Sequence, residues 1–338
     1  MIVEMQKGVD VQQVDGVVQR AKSLGFQVQL NLGTDKVVVA ILGSNTGQVP
    51  TDTFAVLPGV ESVTRIMKPY KLASREFKGE DSLVSVGAVQ IGGERVVVMA
   101  GPCAVETEEQ IMQVAGAIKE AGAAVLRGGA FKPRTSPFSF QGLEEAGLEL
   151  LARAKKAFNI PVITEVVDPH DVALVAESAD ILQVGARNMQ NFALLTEVGK
   201  SRRPVLLKRG FSSTITEWLT AADYLLAEGN NQVILCERGI RTFEDSVRFS
   251  LDISSIPVVK RFSHLPLIVD PSHAAGHYSL VPAIARAAVA AGADGVLIEV
   301  HPNPKEALVD GLQSLTISDF SRLMVELKAI AKSMGRYI

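Results

Sequence analysis

From residue 96 onward, short apolar runs rich in β-branched residues alternate with amphipathic stretches. The runs are 96–100, 124–126, 162–164, 181–184, 205–207, 233–235, 267–269 and 295–298. They are almost continuously apolar, as strands covered on both faces are. Thr107-Glu108-Glu109-Gln110 reads as a capping box opening the first intervening helix. Asp168-Pro169 supplies an N-cap and an N1 proline for another. Eight such β/α units predict an α/β fold of the closed (β/α)8 TIM-barrel type rather than an open doubly wound sheet. No G-x-G-x-x-G follows the first run, which argues against a dinucleotide fold.

The first seventy residues follow a different rhythm. Ile2–Met5 is a short apolar strand, and Val11, Val14, Val17, Val18, Ala21 and Leu24 recur at helical spacing. Val28, Leu30 and Leu32 alternate, a turn follows at Gly33-Thr34-Asp35, and residues 37–42 form the return strand. A short helix over 51–57 and a last strand over 62–67 complete a β-α-β-β-α-β order, which suits a small ferredoxin-like α+β domain. Residues 69–83 are polar, charged and poorly periodic, and read as a linker. Residues 84–91 read as a hairpin strand leading into the barrel. The expected division is therefore 1–68, a linker over 69–83, and a barrel over 84–338.

Composition narrows the classes. A barrel needs roughly 250 residues, so 338 leave room for one small extra module. The net charge of −3 argues against a general nucleic-acid or membrane-surface binder, so any cationic cluster must be local. No run reaches the roughly 18 apolar residues of a membrane span, and the first residues lack the pattern of a signal peptide. Two cysteines make no disulfide framework, and a reducing cytoplasm is the expected setting.

In such barrels, reactive groups sit at the C-terminal ends of the strands. Here those ends carry, in order, Cys103, Arg127, Glu165, Arg187, Lys208-Arg209, Cys236-Glu237-Arg238, Asp270 with His273, and Glu299 with a loop reaching Asp310. The eighth strand closes on the first, so Cys103, His273, Glu299 and Asp310 come from three adjacent strands. Thiolate, imidazole and two carboxylates suit a divalent transition metal. Arg127, Arg187, Lys208 and Arg238 come from the other side of the ring. Cations so grouped repel one another unless an anion joins them, most simply phosphate and carboxylate groups.

Each residue also has an ordinary structural reading. Cys103 alone is a small buried hydrophobe, His273 a satisfied rim histidine, and Glu299 or Asp310 the partner of a nearby arginine or a helix cap. Arg127 or Arg238 alone could brace a loop. These readings weaken together, because all eight strand ends would need separate structural explanations. For His277, His301 and Cys236 the structural reading is preferred, with His301 the nearest rival as a ligand.

With these residues in place, the chain resembles the 3-deoxy-D-arabino-heptulosonate 7-phosphate (DAHP) synthases of the short type I beta form. The matching segments include MAGPCAVE (99–106), LRGGAFKPRTSPFSFQG (126–142), ILQVGARNMQNF (181–192), LLKRGFSSTITEW (206–218), LCERGIRTF (235–243), IVDPSHAAGH (268–277) and IEVHPNPKEALVDGLQSL (298–315). Residues 1–68 resemble, more weakly, the ferredoxin-like regulatory domain some members carry. The resemblance implies that Cys103, His273, Glu299 and Asp310 bind a divalent metal of the Mn, Co, Fe, Zn or Cd class. It implies that Arg127, Lys132, Arg187, Lys208 and Arg238, with the Ala186 backbone, hold phosphoenolpyruvate. It assigns the phosphate of erythrose 4-phosphate to Arg134 and Thr135, with Ser136, and the orientation of a water to Glu165. Lys132, Glu165, Cys103 and His273 are the expected catalytic group.

The implied reaction joins the two substrates and water into DAHP and phosphate, the entry to the shikimate pathway and aromatic amino acid biosynthesis. Tyrosine or phenylalanine would act as effector at the N-terminal domain, and a homo-oligomer, a tetramer, is expected. The related 3-deoxy-D-manno-octulosonate 8-phosphate synthases carry Lys-Ala-Asn-Arg-Ser where this chain has Lys132-Pro133-Arg134-Thr135-Ser136. That difference favours erythrose 4-phosphate over arabinose 5-phosphate. Two rivals are a Schiff-base aldolase using Lys208 or Lys132, and an inactive amino-acid-sensing relative. Both leave the Cys/His/Glu/Asp quartet without a purpose.

Overall fold

A computed structural model describes the chain apart from residues 34, 35, 134, 135 and 137. It divides into two compact units: Met1–Glu80 with Phe262–His264, and Asp81–Arg261 with Leu265–Ile338.

The first unit contains strands β1 (Ile2–Met5), β2 (Gln27–Leu32), β3 (Val37–Leu42) and β4 (Val60–Thr64), with helices at Val11–Ser23 and Asp52–Ala55. The strands form an antiparallel sheet in the order β2-β3-β1-β4, as the alternation predicts for a ferredoxin-like sandwich. Asp10 caps the long helix in a capping box with Gln13. That helix lays Val17 and Ala21 on Val3, Met5, Val39, Ile41 and Phe54, all buried. The last strand lies two residues earlier than its pattern suggests. Thr34 and Asp35 of the expected turn fall outside the described residues.

Residues 69–80 are more than a linker. Tyr70, Leu72, Ala73 and Phe77 belong to this unit and are buried, and the Phe77 carbonyl accepts from Asn31 Nδ2 at 3.2 Å. The segment lacks helix or strand period because it packs as irregular turns, so periodicity gave no sign of its burial.

In the second unit, a hairpin of β5 (Val84–Val86) and β6 (Val89–Ile91) precedes the barrel. Residues 84–91, read as one hairpin strand, therefore make both arms. Val84, Val86, Val89 and Ile91 pack on inward-facing Val97, Ala124, Ile181 and Ile268, filling the barrel interior with apolar side chains. The barrel strands are β7 (Val97–Gly101), β8 (Val125–Arg127), β9 (Val162–Glu165), β10 (Ile181–Val184), β11 (Val205–Lys208), β12 (Val233–Glu237), β13 (Leu267–Val269) and β14 (Gly295–Glu299). All are parallel to their neighbours, and β14 pairs with β7 to close the ring. Every expected run is a strand, within one or two residues at each end.

The predicted caps are present with one difference. Thr107 accepts from the Gln110 amide at 3.1 Å, but the Gln110 side chain reaches the Glu106 amide and the Ala104 carbonyl rather than completing a box. Asp168 accepts from the His170 amide at 2.8 Å, with Pro169 opening the turn before the Val172–Ser178 helix. Among the described residues, no helix is long and apolar enough to cross a membrane.

Candidate active site

Closure of β14 on β7 brings the predicted quartet together. The ligand atoms of Cys103, His273, Glu299 and Asp310 all lie within 4.8 Å of one another. Glu299 ends β14 opposite Gly101 of β7, and Cys103 follows two residues beyond. Gly101 adopts φ +149°, and a Cβ there would lie 2.0 Å from the Arg127 carbonyl oxygen, so the β7 end needs glycine to approach β8. His273 sits in the Pro271–Ala275 turn of helix, which Asp270 caps by accepting the His273 amide at 2.9 Å. Asp310 lies in the loop after β14 at φ +53°.

The quartet's spacing suits one ion. Cys103 Sγ is 3.6 Å from Asp310 Oδ2, His273 Nε2 is 3.5 Å from Glu299 Oε1, and the same Nε2 is 3.8 Å from Asp310 Oδ2. A tetrahedral centre with ligand distances of roughly 2.0–2.3 Å spaces its donors roughly 3.3–3.8 Å apart. His273 Nδ1 is 2.7 Å from Asp270 Oδ2, which makes Nδ1 the protonated nitrogen and leaves the Nε2 lone pair facing the cluster. Burial holds His273 below the ordinary histidine range, against the pull of Asp270 and Glu299, and so favours its neutral form.

The charges around the quartet are paired. Burial opposes ionisation of Glu299, yet His273 and the ion-paired Arg127 bring its carboxyl down to about 2. Burial likewise opposes ionisation of Asp270, but His273 and Lys208, whose Nζ is 2.6 Å away, hold it well below the usual carboxylate range. Burial, reinforced by Glu299, pushes the Cys103 thiol up to about 12 despite nearby Lys132 and Arg127. Lys132 Nζ lies 3.2 Å from that sulfur and 3.0 Å from the Cys103 carbonyl oxygen.

Beside the quartet opens a cavity of about 180 Å³. Its lining includes Lys132, Glu165, Ala186, Arg187, Lys208, Arg238, His273 and Asp310 of the predicted residues. Arg127, Cys103 and Glu299, also buried, are not part of that lining. Arg127 pairs with Glu299 through Nη1, as Lys208 pairs with Asp270. Ser136 does not line the cavity either, and its hydroxyl accepts from the Phe138 amide at 3.3 Å. Arg134 and Thr135 lie outside the described residues. Glu165 Oε2 accepts from Gln183 Nε2 at 3.0 Å, which fixes one carboxylate oxygen.

The three leftovers have structural partners. His301 is buried against Glu106, whose other oxygen accepts the Leu308 amide, so this pair fastens the loop that carries Asp310. His277 Nδ1 pairs with the Ser279 hydroxyl at 2.8 Å. Cys236 is fully buried, and burial raises its thiol well above the ordinary range.

Several site residues had been given no role from the sequence. Asp270 joins Lys208 to His273. Gln313 donates to Glu299 Oε2 at 2.6 Å and accepts from Arg248 Nη1 at 2.6 Å. Arg248 also pairs with Asp310 at 3.2 Å and lines the cavity with Phe211 and Phe249. The D-P-x-H spacing at 270–273 could have indicated Asp270, because an aspartate N-cap three residues before a ligand can reach its ring. Arg248 and Phe249 lie in the middle of a long loop, where nothing local marks them.

Fold and site together define a (β/α)8-barrel enzyme with a metal-type donor group beside a cationic pocket. The chain belongs to the DAHP synthetase I family, which residues 78–334 match, while residues 1–68 match the DAHP synthase ferredoxin-like domain. It is 48% identical over 335 residues to a Phospho-2-dehydro-3-deoxyheptonate aldolase of Thermotoga maritima, spanning 99% of each chain. The crystal structure of a DAHP synthase from that organism superposes with a TM-score of 0.80, covering 99% of this chain and 98% of that one. A 2-dehydro-3-deoxyphosphooctonate aldolase of Geobacter sulfurreducens is 34% identical over 267 residues, 73% of this chain and 97% of its own. The heptonate relative thus matches both units, and the octonate relative a smaller share.

Proposed function

We propose that this enzyme condenses phosphoenolpyruvate with D-erythrose 4-phosphate and water to give DAHP and inorganic phosphate, with a divalent metal held by Cys103, His273, Glu299 and Asp310. The carrying observation is one cavity lined by Lys132, Arg187, Lys208 and Arg238 and bordered by His273 and Asp310 of the quartet. A divalent ion there supplies Lewis acidity towards the aldehyde oxygen of the second substrate.

The chain's own groups do the rest. Arg127, Arg187, Lys208 and Arg238 bind the phosphate and carboxylate of phosphoenolpyruvate and offset the repulsion between two anionic substrates. Holding the enol in one orientation presents C3 to the aldehyde carbon for C–C bond formation. The charge that develops at C2 is met by water, which Glu165 is placed to orient with one oxygen fixed by Gln183. C–O cleavage of the resulting hemiketal phosphate then releases phosphate against the same cations. Lys132, beside Cys103 and on the cavity wall, is the ammonium nearest the quartet among the described residues. Burial works against its charge, but Cys103, Glu165 and Glu299 together raise it above the ordinary lysine range.

Arg134, Thr135 and Ser136 of the KPRTS segment are assigned to the erythrose phosphate, on the resemblance. Residues 1–68 are assigned to feedback control by tyrosine or phenylalanine, in a cytoplasmic homotetramer. The test offers phosphoenolpyruvate with erythrose 4-phosphate or arabinose 5-phosphate, with and without added Mn, Co, Fe, Zn or Cd, and measures phosphate release. Metal-dependent turnover with erythrose 4-phosphate is expected. Turnover that survives complete chelation, or preference for the pentose, would refute the proposal.

A further inference from the structure

The cationic wall has an aromatic backing. Phe211 follows β11, Phe249 lies in the loop after β12, and their rings stack with centroids 5.0 Å apart and planes 10° from parallel. The Arg238 guanidinium carbon is 3.9 Å from the Phe249 centroid and 4.9 Å from that of Phe211. Arg187 and Arg241 approach the Phe211 ring at 5.3 and 5.9 Å. Phe211, Phe249, Arg187 and Arg238 all line the cavity.

The backbone holds this pair in place. Gly239, at φ +88°, lies two residues past β12, and a Cβ there would lie 2.7 Å from the Phe249 Cβ. Ile240 and Ser250 exchange hydrogen bonds at 2.9 and 3.0 Å, and the Phe249 amide donates to Ala274 at 2.9 Å. The Arg241 amide donates to the Phe211 carbonyl at 2.6 Å, tying the two loops together.

Arg238 needs such a support. It is 3% exposed, and its Nη1 has no hydrogen-bond partner among the described residues. The acids beside it on the strand ends are engaged elsewhere: Asp270 with Lys208 and His273, Glu237 with Arg209, Ser255 and the Gly239 amide. A carboxylate partner would occupy the donors an anionic substrate must use. A ring face attracts the cation through its quadrupole and accepts none of those donors in their plane. Burial lowers the Arg238 guanidinium to about 10, which still leaves it charged at neutral pH.

We propose that Phe249, with Phe211 beside it, is a positioning residue that holds the Arg238 guanidinium with Nη1 free for an anionic oxygen of the substrate. This rests on the proposed reaction, in which phosphoenolpyruvate supplies that oxygen. Because the contact serves ground and transition states alike, its loss should act on KM rather than kcat.

The experiment replaces Phe249 with leucine, with tyrosine and, by unnatural incorporation, with difluoro- and pentafluorophenylalanine. The fluorinated rings keep the shape while withdrawing and then inverting the quadrupole, so a folding defect cannot imitate the result. Expected are a KM for phosphoenolpyruvate raised about tenfold in Phe249→Leu, a stepwise rise along the fluorinated series, and near-normal values in Phe249→Tyr, with kcat within about twofold throughout. A flat KM across the fluorinated series, or a fall in kcat at constant KM, would overturn the inference. Absence of turnover in the unsubstituted enzyme would instead refute the proposed reaction. The series is then read by calorimetric binding of phosphoenolpyruvate, where a flat affinity again overturns the role of the rings.

Discussion

Asp270 is the most informative residue to perturb, because it is buried and shared. Its Oδ2 lies 2.6 Å from Lys208 Nζ and 2.7 Å from His273 Nδ1, and its Oδ1 caps the His273 amide. Asp270→Asn keeps the volume and can keep the amide cap through its remaining oxygen. It then presents an NH2 group to two donors, leaving the Lys208 ammonium buried without an anion. Removing one member of a buried ion pair typically costs about 3–5 kcal/mol. Loss of the carboxylate that orients a ligating histidine typically weakens metal affinity by about 10- to 100-fold. Two readouts therefore move together. The unfolding transition of the metal-free barrel should fall by several degrees, and metal affinity by calorimetric titration should fall by about one to two orders of magnitude. Lys208→Met in the same background removes the stranded charge, so it should recover stability without recovering metal affinity. A single Asp270→Asn variant with metal affinity within about twofold of normal and an unshifted transition would refute the reasoning.

Further outcomes follow from the same geometry. The Cys103 thiol, raised to about 12, is protonated at neutral pH, so metal binding as thiolate should release a proton. Binding enthalpies in buffers of different ionisation heat would reveal it, and an equal enthalpy in all of them would contradict it. Cys103→Ser should lose metal and activity together, as judged by metal content after dialysis and by phosphate release. Glu299 is depressed from 4.5 to about 2, so its stabilisation of the metal-free protein is fully present above pH 4.5 and is lost as pH falls from there towards 2. Denaturant titrations should show a loss of about 3 kcal/mol across that window from this group, reduced in Glu299→Gln. Gly101→Ala would drive a methyl group into the Arg127 carbonyl oxygen at a positive φ. It should lower stability by about 2 kcal/mol or more and weaken metal binding, measured by thermal melting and metal titration.

The local pattern of the chain was enough for the barrel. Strands buried on both faces are apolar at every position, so all eight runs stand out, and the reactive residues then fall at their C-terminal ends by position alone. That ring order also placed Cys103, His273, Glu299 and Asp310 on adjacent strands, and the structure brings their ligand atoms together. Which charges answer which others is a different matter. Arg127, expected in the anion-binding wall, pairs with Glu299, 172 residues away along the chain. Lys208 finds Asp270, Gln313 bridges Glu299 to Arg248, and two phenylalanines from separate loops come together beside Arg238. The irregular segment after Lys68 hides its buried side chains for the same reason. Periodicity is a property of neighbours along the chain, whereas ion pairing and loop packing depend on distances that exist only once the strands have closed. The positions of the functional groups were therefore set by the sequence, and their division into bound, braced and free cations was decided by the tertiary structure.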